Sequence, residues 1–91
     1  DMSPYNLNLL KSKARVEIYL ANVDTKYQQS ALNTLLQASI LAPTDPKLLF
    51  NIALLYQNTN QKDLAILSYQ KALELKSNYQ EALFRLEQLS Q

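Results

Sequence analysis

The stretch Leu49–Leu75, LFNIALLYQNTNQKDLAILSYQKALEL, decides the fold of this chain. Apolar residues recur at helical spacing in two segments, Leu49, Ile52, Ala53 and Tyr56 in the first and Ala65, Ile66, Tyr69, Ala72, Leu73 and Leu75 in the second. The polar run NTNQK joins them, and neither glycine nor proline lies inside. That spacing predicts two amphipathic helices, each too short to be stable without burying its stripe against another element. Asparagine is the best substitute for glycine where the backbone must turn left-handed, so the break falls at Asn58 to Asn60.

Working outward, the third helix runs from Pro46 to about Asn58, with Asp45 as cap before a proline at the first helical position. The fourth runs from about Lys62 to Lys76. A fifth follows Ser77 and Asn78: Asn78 caps, Glu81 stands three residues on, and Ala82, Leu83, Leu86 and Leu89 form its stripe. Toward the amino end, Ser3 and Pro4 signal a helix start. Leu7, Leu10, Ala14, Ile18 and Ala21 then line one face to about Asn22, widened by Leu9, Val16 and Leu20. Asp24 or Thr25 opens a second helix, with Gln28 completing a capping box after Thr25. That helix carries Tyr27, Ala31, Leu32, Leu35, Ala38 and Leu41 and ends before Pro43. No alternation of period two appears, so the chain reads as all-α.

Composition narrows the function. Ninety-one residues allow one small core. Nine basic and eight acidic residues give a net charge of +1, too balanced for a phosphate-neutralising surface. The chain has no cysteine and no histidine, which removes thiol chemistry, most zinc sites and the side chain best suited to proton transfer near neutral pH. Without a glycine-rich phosphate loop or a carboxylate pair in an apolar pocket, no active site is expected. No apolar run approaches the ~20 residues that cross a bilayer, and the segment reads as soluble. Its start at Asp1–Met2 and its end in LEQLSQ read as those of a piece of a longer protein.

Aligning Ala31, Leu35 and Ala38 with Ala65, Tyr69 and Ala72 gives an offset of 34 residues each time. Residues 46–79 resemble the tetratricopeptide repeat, whose unit has that length. Leu49 stands in the tryptophan slot, Ile52 and Ala53 in the leucine and glycine slots, and Tyr56 in the tyrosine slot. Ala65 and Tyr69 take the alanine and aromatic slots, and Ala72 the next small one. Small residues at Ala53, Ala65 and Ala72 let the paired helices approach closely. Ser77 replaces the usual proline and Asn60 the usual turn glycine. The resemblance implies a single domain over 1–91, in which antiparallel helix pairs stack as a short right-handed superhelix of about five helices. Residues 4–45 would be a degenerate first repeat, 46–79 a well-matched second and 80–91 a capping helix. In the first repeat, Arg15, Tyr19 and Asn22 stand where leucine, a small residue and tyrosine are expected. In the fifth helix, Glu87 falls in a small-residue slot.

The resemblance also implies a non-catalytic protein-interaction module that holds a peptide or partner helix on a concave wall. Carried onto this sequence, that wall takes Phe50, Asn51, Leu54 and Gln57 from the third helix and Phe84, Arg85 and Gln88 from the fifth. Val16, Glu17 and Leu20 would add to it from the first. Amides suit a peptide backbone, and the two phenylalanines supply contact area. A subtype of the family clamps a terminal carboxylate; Asn51 and Arg85 match its slots, whereas Val16, Leu20 and Glu81 do not. Tyr56 and Tyr69 read as packing residues, and the basic run Lys11–Arg15 as a solvated face. No cofactor and no metal are expected; nor is nucleic acid or membrane insertion of this segment. Self-association through an exposed apolar wall is the structural alternative. Residues 13–56, with LAPTDPKL among them, also resemble the helical-repeat tails of bacterial O-antigen polymerase or ligase-like membrane proteins. That resemblance implies an accessory domain beside a catalytic membrane portion.

Overall fold

The computed structural model describes residues 6–90 and divides the chain into two compact units, one ending at Pro43 and the other beginning at Thr44. Among the described residues all regular structure is helical.

The amino-terminal unit is a hairpin of α1 (Leu7–Val23) and α2 (Gln28–Leu41), joined by a short 3-10 turn, Thr25–Tyr27. The expected start at Ser3 and Pro4 lies outside the described residues. Within them α1 opens at Asn6, whose side-chain oxygen accepts from the Leu9 N–H at 3.1 Å. Leu10, Ala14 and Ala21 of α1 are buried, as are Ala31, Leu32, Leu35 and Ala38 of α2. The expected capping box of Thr25 and Gln28 does not form. Instead the Asp24 carboxylate accepts from the Lys26 N–H at 3.0 Å and the Asp24 carbonyl from the Tyr27 N–H at 3.2 Å. The resulting tight turn delivers Tyr27 already in helical geometry, so α2 begins without a side-chain cap.

The first half of the first repeat reads poorly because its side chains depart from those of the matched unit. At the 34-residue offset Ala14 and Ala21 of α1 stand where α3 has Leu48 and Leu55, and all four are buried. Arg15, Tyr19 and Asn22 are exposed. Tyr19 is exposed where Ala53 is fully buried and Val16 is exposed where Phe50 is buried, while Glu17, the counterpart of the half-buried Asn51, turns inward.

The carboxy-terminal unit contains α3 (Pro46–Asn58), α4 (Lys62–Leu75) and α5 (Gln80–Leu89), with α4 packed against both α3 and α5. The cap at Asp45 is as expected, its carboxylate accepting from the Lys47 N–H at 3.0 Å. Asn60 adopts φ 62°, the one positive φ among the described residues. Around it Asn60 N–H donates to Gln57 O at 3.3 Å and Gln61 N–H to Tyr56 O at 2.8 Å, the paired bonds of a Schellman end. Asn78 does not cap α5. The Tyr79 N–H bonds the Lys76 carbonyl at 3.1 Å, closing a turn that shifts the helix start by one residue and leaves Tyr79 at the cap position.

Ala53, Ala65, Ala72 and Ala82 are all fully buried. With no side chain beyond Cβ, they let the helix backbones approach closely enough for Tyr69, also fully buried, to fill the space between. Phe50 completes this core, its ring 5.7 Å from that of Tyr69 and stacked on Tyr79 at 5.2 Å. Leu54, Tyr56, Leu73, Tyr79, Leu86 and Leu89 pack around the cluster, partly exposed.

Candidate functional site

The expected wall residues of the carboxy-terminal unit lie on α3 and α5. On α3, Phe50, Leu54 and Gln57 fall four and three residues apart and share a face, with Asn51 at its edge. Phe50 departs from expectation: at 7% exposed its ring belongs to the core, wedged between Tyr69 and Tyr79, and offers little open contact area. The stacking partner arrives from the loop before α5, a contact that helix periodicity in α3 alone does not reveal. Asn51, Leu54 and Gln57 are half-buried. Phe84 of α5 is 60% exposed, and Arg85 and Gln88 are exposed beside it.

Tyr69 connects the two helices. Its hydroxyl donates to Oε1 of Gln57 at 2.9 Å. With Oε1 engaged, the Gln57 amide nitrogen is left to donate outward. Burial pushes the Tyr69 phenol up to about 12, and the charge of Arg85 acts on it in the opposite sense. Gln57 is thereby the side chain on α3 that binds the phenol of Tyr69. Tyr79 is raised as well, by burial first and then by the carboxylates of Glu81 and Asp45.

The residues expected from α1 behave differently. Glu17 is buried in the amino-terminal unit, where its carboxylate accepts from the hydroxyls of Ser30 and Thr34. It holds α1 to α2 and is unavailable to a partner. The expectation of an outward Glu17 is corrected: two hydroxyls on α2 give its carboxylate buried partners. Val16 is 58% exposed and Leu20 half-buried. Sequence reasoning missed the Glu17 clasp, although hydroxyl residues at 30 and 34, four apart on one helix, were its visible trace.

Among the described residues no group of three or more acidic side chains could hold a metal ion, and no helix is long and apolar enough to cross a membrane. No curated protein matches the chain. The family model for the tetratricopeptide repeat matches residues 46–79, which span α3, its Schellman turn, α4 and the turn into α5. The buried alanines, the tyrosine between them and the left-handed turn lie within that match, and residues 46–79 are a tetratricopeptide repeat.

Proposed function

We propose that the chain acts by recognising a peptide or a partner helix on the wall shared by α3 and α5, built from Asn51, Leu54 and Gln57 with Phe84, Arg85 and Gln88. The tetratricopeptide repeat is an interaction module, and that is the general role its presence supports. The observation that carries the finer reading is the bond from the Tyr69 hydroxyl to Gln57, which fixes that amide on α3. It sets the Gln57 amide on the same face of α3 as Leu54, while Phe84 and Arg85 are exposed on α5. Such a row suits a segment whose backbone carbonyls accept from Gln57 and which carries a carboxylate for Arg85. Phe50 supports the wall from beneath by fixing α3 against Tyr79. Residues 4–45 serve in this reading as a degenerate first repeat of one domain, and residues 80–91 as the capping helix.

The test is an amide chemical-shift titration of the full chain against a peptide library. Shifts should gather at Asn51, Leu54, Gln57, Arg85 and Gln88, and Arg85→Ala should weaken the best peptide by about tenfold. Shifts confined to the outer face of α4 would reject the wall. A mass that doubles with concentration, without peptide, would favour self-association instead.

A further inference from the structure

From Gln28 to Thr44 the sequence holds no charged residue, and α2 is alone among the described α-helices in carrying none. Its inner side is filled by Ala31, Leu32, Leu35 and Ala38. The outer side presents Asn33, Leu36, Gln37 and Ile40, spaced three and four residues apart. Ile40 is 77% exposed, the most exposed large apolar side chain among the described residues, and Leu36, one turn before it, is half-buried. Gln29 extends the row of amides, its Nε2 donating to Oδ1 of Asn33 at 2.9 Å.

We propose that this face of α2 joins two copies of the chain, antiparallel about a two-fold axis that passes the helix at the height of residue 38. That axis sets Ile40 of each copy against Leu36 of the other and brings the two Gln37 side chains together. Charge selects a second copy as the occupant. A two-fold contact opposes like with like, so charges on such a face would repel or be stranded, and this face has none. An amide both donates and accepts, so Gln37 can bond its own copy. Depletion of charge is also what marks the centre of a protein contact. A bilayer surface selects a broad apolar face flanked by lysine or arginine, whereas amides run along the middle of this one and α2 has no basic residue. One helix from each copy buries on the order of 1,000 Å² in all, the low end for a specific contact, so the dimer is weak and exchanges with monomer. The proposal is independent of the α3–α5 wall, because every residue it uses lies in the amino-terminal unit.

Sedimentation equilibrium of the full chain should show its mass rising from monomer to dimer, with a Kd on the order of 100 μM. Ile40→Glu, at an exposed position, should weaken the dimer by about tenfold or more at unchanged helicity. Gln37→Glu and Gln37→Lys should each self-associate less than wild type, and their equimolar mixture should restore the dimer, because position 37 meets itself across the axis. The chain has no cysteine, so Gln37→Cys should give a disulfide-linked dimer on mild oxidation, faster than Gln70→Cys at an exposed position of α4. A chain still monomeric at about 1 mM would overturn the proposal. So would a dimer that Ile40→Glu leaves intact, or a mixture of the two charged variants no more dimeric than either alone. Pelleting with phosphatidylserine vesicles in place of self-association would overturn it too. A dimer lost on Ile40→Glu leaves the wall reading standing, whereas one that survives it and is lost on Phe84→Ser counts against both.

Discussion

The hydroxyl of Tyr69 and the side-chain oxygen of Gln57, twelve residues apart, lie 2.9 Å from each other across the α3–α4 hairpin. Tyr69 is fully buried, so this bond gives its phenol a partner that water cannot supply. Tyr69→Phe keeps the ring and removes the bond, while the half-exposed Gln57 finds water. The expected cost is about 1 kcal/mol, a loss of about 5 °C in melting temperature.

The same phenol makes stability depend on alkaline pH. Tyr69 ionises near 10 when unfolded and is pushed up to about 12 by burial in the fold. Below pH 10 it is neutral in both states and its contribution is intact. Between pH 10 and 12 the unfolded chain alone gives up the proton, so stability falls, by up to about 1.4 kcal/mol per pH unit. Urea unfolding at stepped pH should show this fall in the wild type and a shallower one in Tyr69→Phe. Arg85→Gln should raise the phenol further, since the guanidinium holds it down.

Glu17 offers a second test. Glu17→Ala leaves the buried Thr34 hydroxyl without its acceptor and should destabilise the chain by about 2 kcal/mol. Glu17→Gln retains an acceptor oxygen for one hydroxyl and should cost less. Urea denaturation followed by circular dichroism distinguishes the two.

Asn60 holds a left-handed backbone without glycine's freedom. Asn60→Gly should leave stability within about 1 kcal/mol of wild type, the relief of strain offsetting the added freedom of the unfolded chain. Asn60→Val, with a branched Cβ at positive φ, should cost about 2 kcal/mol. Thermal melts check both.

Ala53 and Ala65 are fully buried. Ala65→Leu should force α3 and α4 apart and cost about 1–3 kcal/mol. If the melting temperature held, the close approach of these helices would not be limited by the side chain at 65.

The helices were legible from the sequence because each carries an apolar stripe of period 3.6, and the α3–α4 pair because its small residues recur where backbones touch. Asp45 and Asn60 were legible too, since each performs a local job that few side chains can do. What escaped was set by contacts between elements. Tyr79 captures Phe50 from outside α3, so periodicity could not place that ring in the core. On α1, Glu17 is drawn inward by Ser30 and Thr34, a pairing between helices that the apolar stripe does not show. Of the candidate wall, the α3 members could be read from spacing, whereas the bond between Gln57 and Tyr69 depends on how α4 packs against α3.

Glu17 has one more consequence. Interlocking leucines and alanines look nearly alike after a slide of one turn, so a hairpin sealed only by them has neighbouring alignments of similar energy. A carboxylate seated between Ser30 and Thr34 works as a detent: moving α1 a single turn along α2 would strand the charge among hydrocarbon. The amino-terminal hairpin is thereby keyed to one alignment, at the place where its sequence strays furthest from the repeat.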